Sequence, residues 1–315
     1  KGHVIAREQF LLKEKKTIPD QVTAEKKAGL TVKESSGKFE VTGESFTVTI
    51  DGNTGMLSGY LRDNKPIIRK GVEFNFWRAL TDNDLGWKVD QKMKIWENEA
   101  SLYDMISCKL TESLPGRVEI ASHFRFKNSG ATAMVKHSVT SVGKVKFELT
   151  MEIPDGLPNI PRIGLQFRLD STMTGISWYG RGPQENYADR KTGAFVGYYE
   201  STLNDFVTPY VRPQENAARS DIRHIRFSNK KWSVQFSAAG GSLFTASAWP
   251  WEQKTLAITT HNHKLAKGEY VVLNIDYALM GVGGDNSWGL PVLEKYQVKP
   301  GKYHFSFVMN AGFAD

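Results

Sequence analysis

Two stretches of this sequence concentrate groups that can do chemistry. The first is Trp178-Tyr179-Gly180-Arg181-Gly182-Pro183-Gln184-Glu185-Asn186-Tyr187-Ala188-Asp189-Arg190. Aromatic, charged and amide side chains are gathered there around glycine and proline, the composition of a non-repetitive loop. The second is Met280-Gly281-Val282-Gly283-Gly284-Asp285-Asn286-Ser287-Trp288-Gly289. Its glycines admit positive φ and close backbone approach. Trp288 beside Asp285 and Asn286 suits a pyranose, whose C–H face stacks on an indole while its hydroxyls bond polar groups at the edge. A tryptophan at the end of a sheet can equally be plain core, and composition alone favours that reading. Gly-Val-Gly-Gly lacks the Lys-Ser/Thr that a phosphate loop requires.

Other candidates are less organised. His261-Asn262-His263 puts two imidazoles on one side if the segment is a strand, an arrangement open to a metal, but no third ligand is evident. Carboxylates are plentiful: Asp82, Glu185, Asp189, Glu215 and Asp285. A retaining glycosidase holds two carboxyls roughly 5–5.5 Å apart, and no local signature here picks out a couple. Opening an aldose ring needs a histidine and a carboxylate in one cleft. His261 or His263 with Glu185 or Glu215 would be the pair for that epimerase chemistry.

The elements that must position these groups are strands. Phe46, Val48 and Ile50 alternate with threonines; Val145 to Met151, Ile163 to Leu169, Val271 to Tyr277 and Tyr303 to Phe307 alternate likewise. Side chains of successive strand residues point to opposite faces, so each run is expected to be half buried and half wet. Asp51-Gly52-Asn53 and Lys299-Pro300-Gly301 are turn signals. Many short strands with such turns predict an all-β chain of antiparallel sheets packed face to face. The best helix candidate, near Asp90–Ala100, is short. Val4–Phe10 reads as one strand, and Lys13–Lys38 as a polar, lysine-rich linker. The expected division is 1–12 for the last strand of a preceding domain, 13–41 for a linker and 42–315 for the sandwich.

The 315 residues are 40% hydrophobic and 11% aromatic, enough for a sizeable core. The formal charge of +7 is scattered along the chain, without the clustered motif of a nucleic-acid surface. A single cysteine, Cys108, precludes an intrachain disulfide and a cysteine-based metal site. No stretch is long and apolar enough for a bilayer-spanning helix. Neither nucleic acid nor membrane is expected as a partner, and the compartment, cytoplasmic or periplasmic, is left open.

Six stretches, taken in order, carry a resemblance. They are Arg78 to Gly86; Pro161 to Leu165; Gly182 to Tyr187 with Asp189-Arg190; Thr208 to Val211 with Pro213 and Glu215-Asn216; His261 to His263; and Met280 to Trp288. Over residues 42–310 the chain resembles the C-terminal domain of large bacterial β-galactosidases of glycoside hydrolase family 2, and residues 1–12 resemble the end of the immunoglobulin-like domain preceding it. The resemblance implies a large antiparallel β-supersandwich similar to galactose mutarotase. It implies retaining hydrolysis of terminal β-D-galactosides by a glutamate nucleophile and a glutamate acid/base. Those glutamates, with magnesium and sodium ligands, lie upstream in a TIM barrel and neighbouring domains, so this chain holds no catalytic residue or cofactor and is expected to be inactive alone. The full-length protein is expected to be a homo-oligomer. What falls to this chain is a sugar-contacting tryptophan, at the position of Trp288, with Asp285, Asn286, His263 and Asn83 as possible neighbours. Some members have Asp-Asp-Ser-Trp where this chain has Asp285-Asn286-Ser287-Trp288, which puts in doubt a role for a second carboxylate. The Gly182–Arg190 loop, Arg78, Asp82 and Asp84 are expected to serve packing. The alternatives are an aldose 1-epimerase-like enzyme and a separate small subunit or carbohydrate-binding module.

Overall fold

The structure, a computed structural model, describes residues 3–12, 29–284 and 289–314. Among the described residues eighteen strands form. They begin with β1 (Thr31–Ser35), β2 (Lys38–Gly43), β3 (Phe46–Asp51), β4 (Met56–Arg62), β5 (Lys65–Asn75) and β6 (Tyr103–Leu114). Next come β7 (Arg117–Phe126), β8 (Thr132–Thr140), β9 (Val145–Glu152), β10 (Arg162–Asp170), β11 (Gly175–Gly182) and β12 (Phe195–Thr202). The last are β13 (Arg219–Ile222), β14 (His224–Ser228), β15 (Trp232–Ala238), β16 (Phe244–Trp249), β17 (Tyr270–Leu279) and β18 (Lys302–Phe313). Four short helices interrupt them: α1 (Asp82–Gly86), α2 (Val89–Lys92), α3 (Leu203–Phe206) and α4 (Gln253–Ile258).

The strands make two nine-stranded antiparallel sheets. The first runs β1-β2-β3-β4-β5-β10-β17-β16-β13, and the second β12-β11-β14-β15-β18-β9-β8-β7-β6. Aromatic side chains stitch the two together. Phe74 of β5 meets Phe124 of β7 edge to face at 5.0 Å, and Phe167 of β10 meets Phe147 of β9 and Phe236 of β15 at 5.5 and 5.0 Å. Such pairs gain about 0.5–1.5 kcal/mol beyond the area they bury. This is the sandwich that the alternating runs and turns predict, and each of the five quoted runs lies within a strand.

Three differences matter. First, β10 and β17 are not half wet. Arg162 through Leu169 are all buried, and so are Val271 through Asp276. The polar face of these central strands lies under the connection from Trp77 to Ser101, the segment before β13, and α4. Arg162 bonds Trp77 O and Gln253 Oε1, and Asn75 bonds Gln253 and Asn274. Second, the sandwich starts at Thr31, inside the stretch expected to be linker, because β1 and β2 pair in register from Thr31 with Thr42. Residues 13–28 of that stretch lie outside the described residues. Third, Val4–Phe10 forms no strand. Ile5 and Leu12 are almost fully exposed, and the segment makes no backbone ladder with the edge strand β12 beside it. Its Gln9 side chain bonds both N and O of Val196.

Around Asp90–Ala100 the chain makes α2 and then two single 3₁₀ turns, Lys94–Trp96 and Glu99–Ser101. Trp96 is fully buried, with Nε1 donating to Pro158 O. Glu99, also fully buried, accepts from the Asn128 and Ser129 amides and side chains at 2.7–3.1 Å. These buried anchors hold a segment whose local sequence alone would make a weak helix.

Candidate functional site

The glycine-rich stretch leaves β17 at one end of the first sheet and is fastened residue by residue. Met280 N donates to Pro161 O and Gly281 N to Tyr296 O, each at 3.0 Å. Arg78 donates to the carbonyls of Met280 at 2.6 Å and Gly281 at 2.9 Å. Asn83 Nδ2 donates to Val282 O at 3.0 Å, and Gly283 N donates to Asp189 Oδ2 at 2.8 Å. Arg78, Asn83 and Asp189 come from two distant parts of the chain, and all converge on four residues, Met280 to Gly283.

Local sequence explains why these side chains point there. Thr81 caps α1: its hydroxyl accepts from Asp84 N while the Asp84 carboxylate accepts from Thr81 N. This reciprocal box satisfies amides that a helix start leaves open. The same carboxylate takes Arg78 in a two-pronged pair, Nε to Oδ2 at 2.9 Å and Nη2 to Oδ1 at 2.7 Å, with both side chains fully buried. A fork on a carboxylate fixes direction as well as distance, so Arg78 is aimed at the Met280 and Gly281 carbonyls. Glycine at 281 leaves room for the Asp189 carboxylate, from which a Cβ there would sit 2.6 Å. At Gly289 φ is +89°, and a Cβ would meet Gly86 O at 2.7 Å. Both flanks of the Asp285–Trp288 segment therefore rest on α1, through Asn83 before it and Gly86 after it.

Beneath this clasp lies a layer of buried charge. Arg162 pairs with Glu215 at 2.7 Å and Asp276 at 3.2 Å, and all three side chains are fully buried. Burial pushes the Asp276 carboxyl up to about 7; Arg162 opposes the shift and Glu215 adds to it. Burial also raises Glu215, against the pull of Arg162 and Arg78. Asp276 faces Gly164 across the ladder, where a Cβ would lie 2.1 Å from Oδ1, so the glycine makes room for the carboxylate. The Glu215 amide donates to Ala79 O, tying this layer to the strand exit that carries Arg78.

Of the candidates read from sequence, Trp288, Asp285 and Asn286 lie outside the described residues. Asn83 stands at the base of their segment, on Val282 O. His263 is exposed on the 3₁₀ turn Asn262–Lys264, not on a strand, and its ring is 5.6 Å from that of His261. That turn reaches the site's rim through Asn262 N on Val211 O, next to Arg212, which bonds Asp82 at 2.6 Å. The histidine–carboxylate pair of an epimerase is not formed. Glu185 takes Arg190, the Tyr210 hydroxyl and the Ala217 amide, while Glu215 is sealed under Arg162. The Gly182–Arg190 loop shapes the sandwich, as expected: Asn186 accepts from Ser220 N and Oγ, and Tyr187 is buried. Arg78 and Asp84 likewise pack rather than face solvent. Sequence reasoning gave no role to Asp276 and took Asp189 only as one of several carboxylates in a packing loop. Their signal was a carboxylate near a glycine in a distant segment, and it becomes readable only once the pairing of strands is known.

Relatives show the same assignment of the chain as a whole. Residues 42–309 match the family model described as β-galactosidase small chain. A β-galactosidase of Priestia megaterium is 33% identical over 91% of this chain, and one of Pseudoalteromonas haloplanktis 28% identical over 99%. The chain spans only 27% and 30% of those two proteins. Among solved structures, galactose 1-epimerase from Lactobacillus acidophilus superposes with a TM-score of 0.50, covering 92% of this chain and 99% of its own at 7% identity. That likeness confirms the mutarotase-type sandwich and speaks to fold alone. With a family model matching nearly the whole sandwich, the chain belongs to the β-galactosidase small-chain family.

Proposed function

We propose that this chain is the C-terminal sandwich of a β-galactosidase of the glycoside hydrolase family 2 type, and that it lends the sugar site Trp288. One observation carries the reading: α1, Arg78 and Asp189 fasten both flanks of the Asp285–Trp288 segment, which gives an aromatic platform a rigid base. Fixed geometry is what a sugar-stacking residue needs, because misplacement by about 1 Å can cost roughly a hundredfold in rate. Retaining hydrolysis of terminal β-D-galactosides would be carried out by two glutamates in upstream domains, including a TIM barrel. Assembly of the full-length protein into a homo-oligomer is part of the same proposal. The magnesium and sodium of this enzyme type are assigned, in the same proposal, to the upstream domains. The epimerase alternative has no histidine–carboxylate contact among the described residues to support it.

Changing Trp288 to Ala in the full-length enzyme tests the reading. Galactoside binding and turnover should both weaken while the melting temperature stays put. Unaltered kinetics would refute the assignment, and robust hydrolysis of a chromogenic β-galactoside by these 315 residues alone would refute the division of labour.

A further inference from the structure

We propose that the outer face of the first sheet carries a second carbohydrate site, a groove for a neutral oligosaccharide, separate from the Trp288 segment. The groove encloses about 700 Å³, within the roughly 300–1,000 Å³ of small-ligand sites. Its floor is Glu73 of β5 with Gln166 and Arg168 of β10. Glu252, Lys254, Ser101 and Tyr103 also line it.

The chemistry of the floor points to hydroxyl groups. Arg168 is buried and spans two carboxylates. Its Nε and Nη2 bond Glu252 at 2.8 and 2.9 Å, and its Nη1 lies 2.9 Å from Glu73 Oε2. Its Nη2 also holds Gln166 Oε1 at 2.9 Å. The Glu73 and Glu252 side chains are still 48% and 35% exposed. A carboxylate has about four acceptor positions; Arg168 meets one oxygen of Glu73 and both of Glu252, and Lys70 stands 3.7 Å from the other Glu73 oxygen, which leaves acceptor positions open on each. Each glutamate therefore presents the groove with acceptors whose direction is already set, and a ligand need not freeze them on binding. Paired hydroxyls on a pyranose ring fit such acceptors.

Charge selects against other ligands. Lys70, Lys254 and Arg168 stand beside Asp51, Glu73, Glu97 and Glu252, so positive and negative groups nearly cancel along the lining. A phosphate or an acidic chain would gain little here, and a cation would meet the lysines. Tyr103 adds a half-buried aromatic ring to the wall, held by its hydroxyl on Thr54 O and by edge contacts with Phe74 and Phe124. A polar floor, a fixed ring and nearly balanced charge together match a neutral sugar chain.

The test is calorimetric titration of a galacto-oligosaccharide into the protein carrying Trp288→Ala, which removes the other proposed sugar contact. Saturable binding is expected. It should weaken at least about tenfold, or roughly 1.4 kcal/mol, in Ser101→Trp and in Lys254→Trp, which place an indole at two exposed positions of the lining. Absence of saturable binding would overturn the proposal, as would a groove already covered by another part of the longer protein. Binding untouched by either tryptophan, in variants that melt like the parent, would overturn it too. Binding that survives Trp288→Ala while galactoside turnover falls would separate this groove from the site proposed above.

Discussion

His137 makes the stability of this sandwich depend on pH in a way that can be worked out from its surroundings. It lies on β8, fully buried, with its ring edge-on to Phe147 at 5.1 Å. Neither ring nitrogen meets a hydrogen-bond partner among the described residues. Burial alone drives its pKa from 6.5 down to about 3. Below pH 6.5 the unfolded chain takes up a proton that the folded chain refuses until about pH 3. The contribution is therefore full above 6.5 and is lost as pH falls, most steeply across that window. At about 1.4 kcal/mol per unit, the loss approaches roughly 5 kcal/mol near pH 3 and is about 2 kcal/mol at pH 5. His137→Leu preserves volume and removes the titration. Urea unfolding of parent and variant from pH 8 to pH 5 reads the difference between them, in which every group common to both cancels. The parent should lose about 2 kcal/mol relative to the variant over that range. Parallel curves would show that His137 is solvated or paired, and would sink the reasoning.

Three further outcomes are expected. Asp84→Asn leaves Arg78 buried without a countercharge, which should cost about 3–5 kcal/mol; an unchanged melting temperature would mean that the pair does not hold the clasp. Gly164→Ala drives a Cβ to 2.1 Å from Asp276 Oδ1 and 2.8 Å from Ile275 O, for a loss of about 1–3 kcal/mol by overpacking, and equal urea midpoints would contradict this. Asp276 binds its proton more tightly folded than unfolded, with a pKa of about 7 against 3.8, so its contribution is present below 3.8 and lost as pH rises through 7. Asp276→Asn should accordingly gain stability relative to the parent between pH 5 and pH 8, and a constant difference would refute it.

The strands were legible because alternation follows from the geometry of a pleated chain, and β3 keeps its alternating burial as expected. What alternation could not reveal is a second cover. Gly164, Gln166 and Arg168 read as a solvent face, yet they are buried beneath residues from distant segments. Polar residues on one strand cannot show that the adjacent strand offers Asn274 and Asp276 as partners. The reverse holds for Val4–Phe10, where a strand pattern touches the edge strand β12 through the Gln9 side chain and makes no ladder with it. At the candidate site, the Thr81–Asp84 box lies in one short stretch and could be read as a helix start. The reach of Arg78 to Met280 joins residues far apart in sequence and had no local sign.

The same buried layer explains how a sandwich of this kind can fasten the Met280–Gly283 stretch where it leaves β17. An ordinary half-wet sheet would hold its exits through exposed side chains, which cost rotamer entropy and contribute little when solvated. Here the central strands bury their polar face, so Arg78 and Arg162 work where water does not compete, and each is fixed by a carboxylate before it touches the backbone it holds. The arrangement has a consequence for acid. His137 and Asp276 tilt stability in opposite directions between pH 5 and pH 7, one losing and the other gaining as protons are added. The sandwich is therefore expected to keep a flatter stability profile across that range than either residue would give alone, and the two single variants should show slopes of opposite sign.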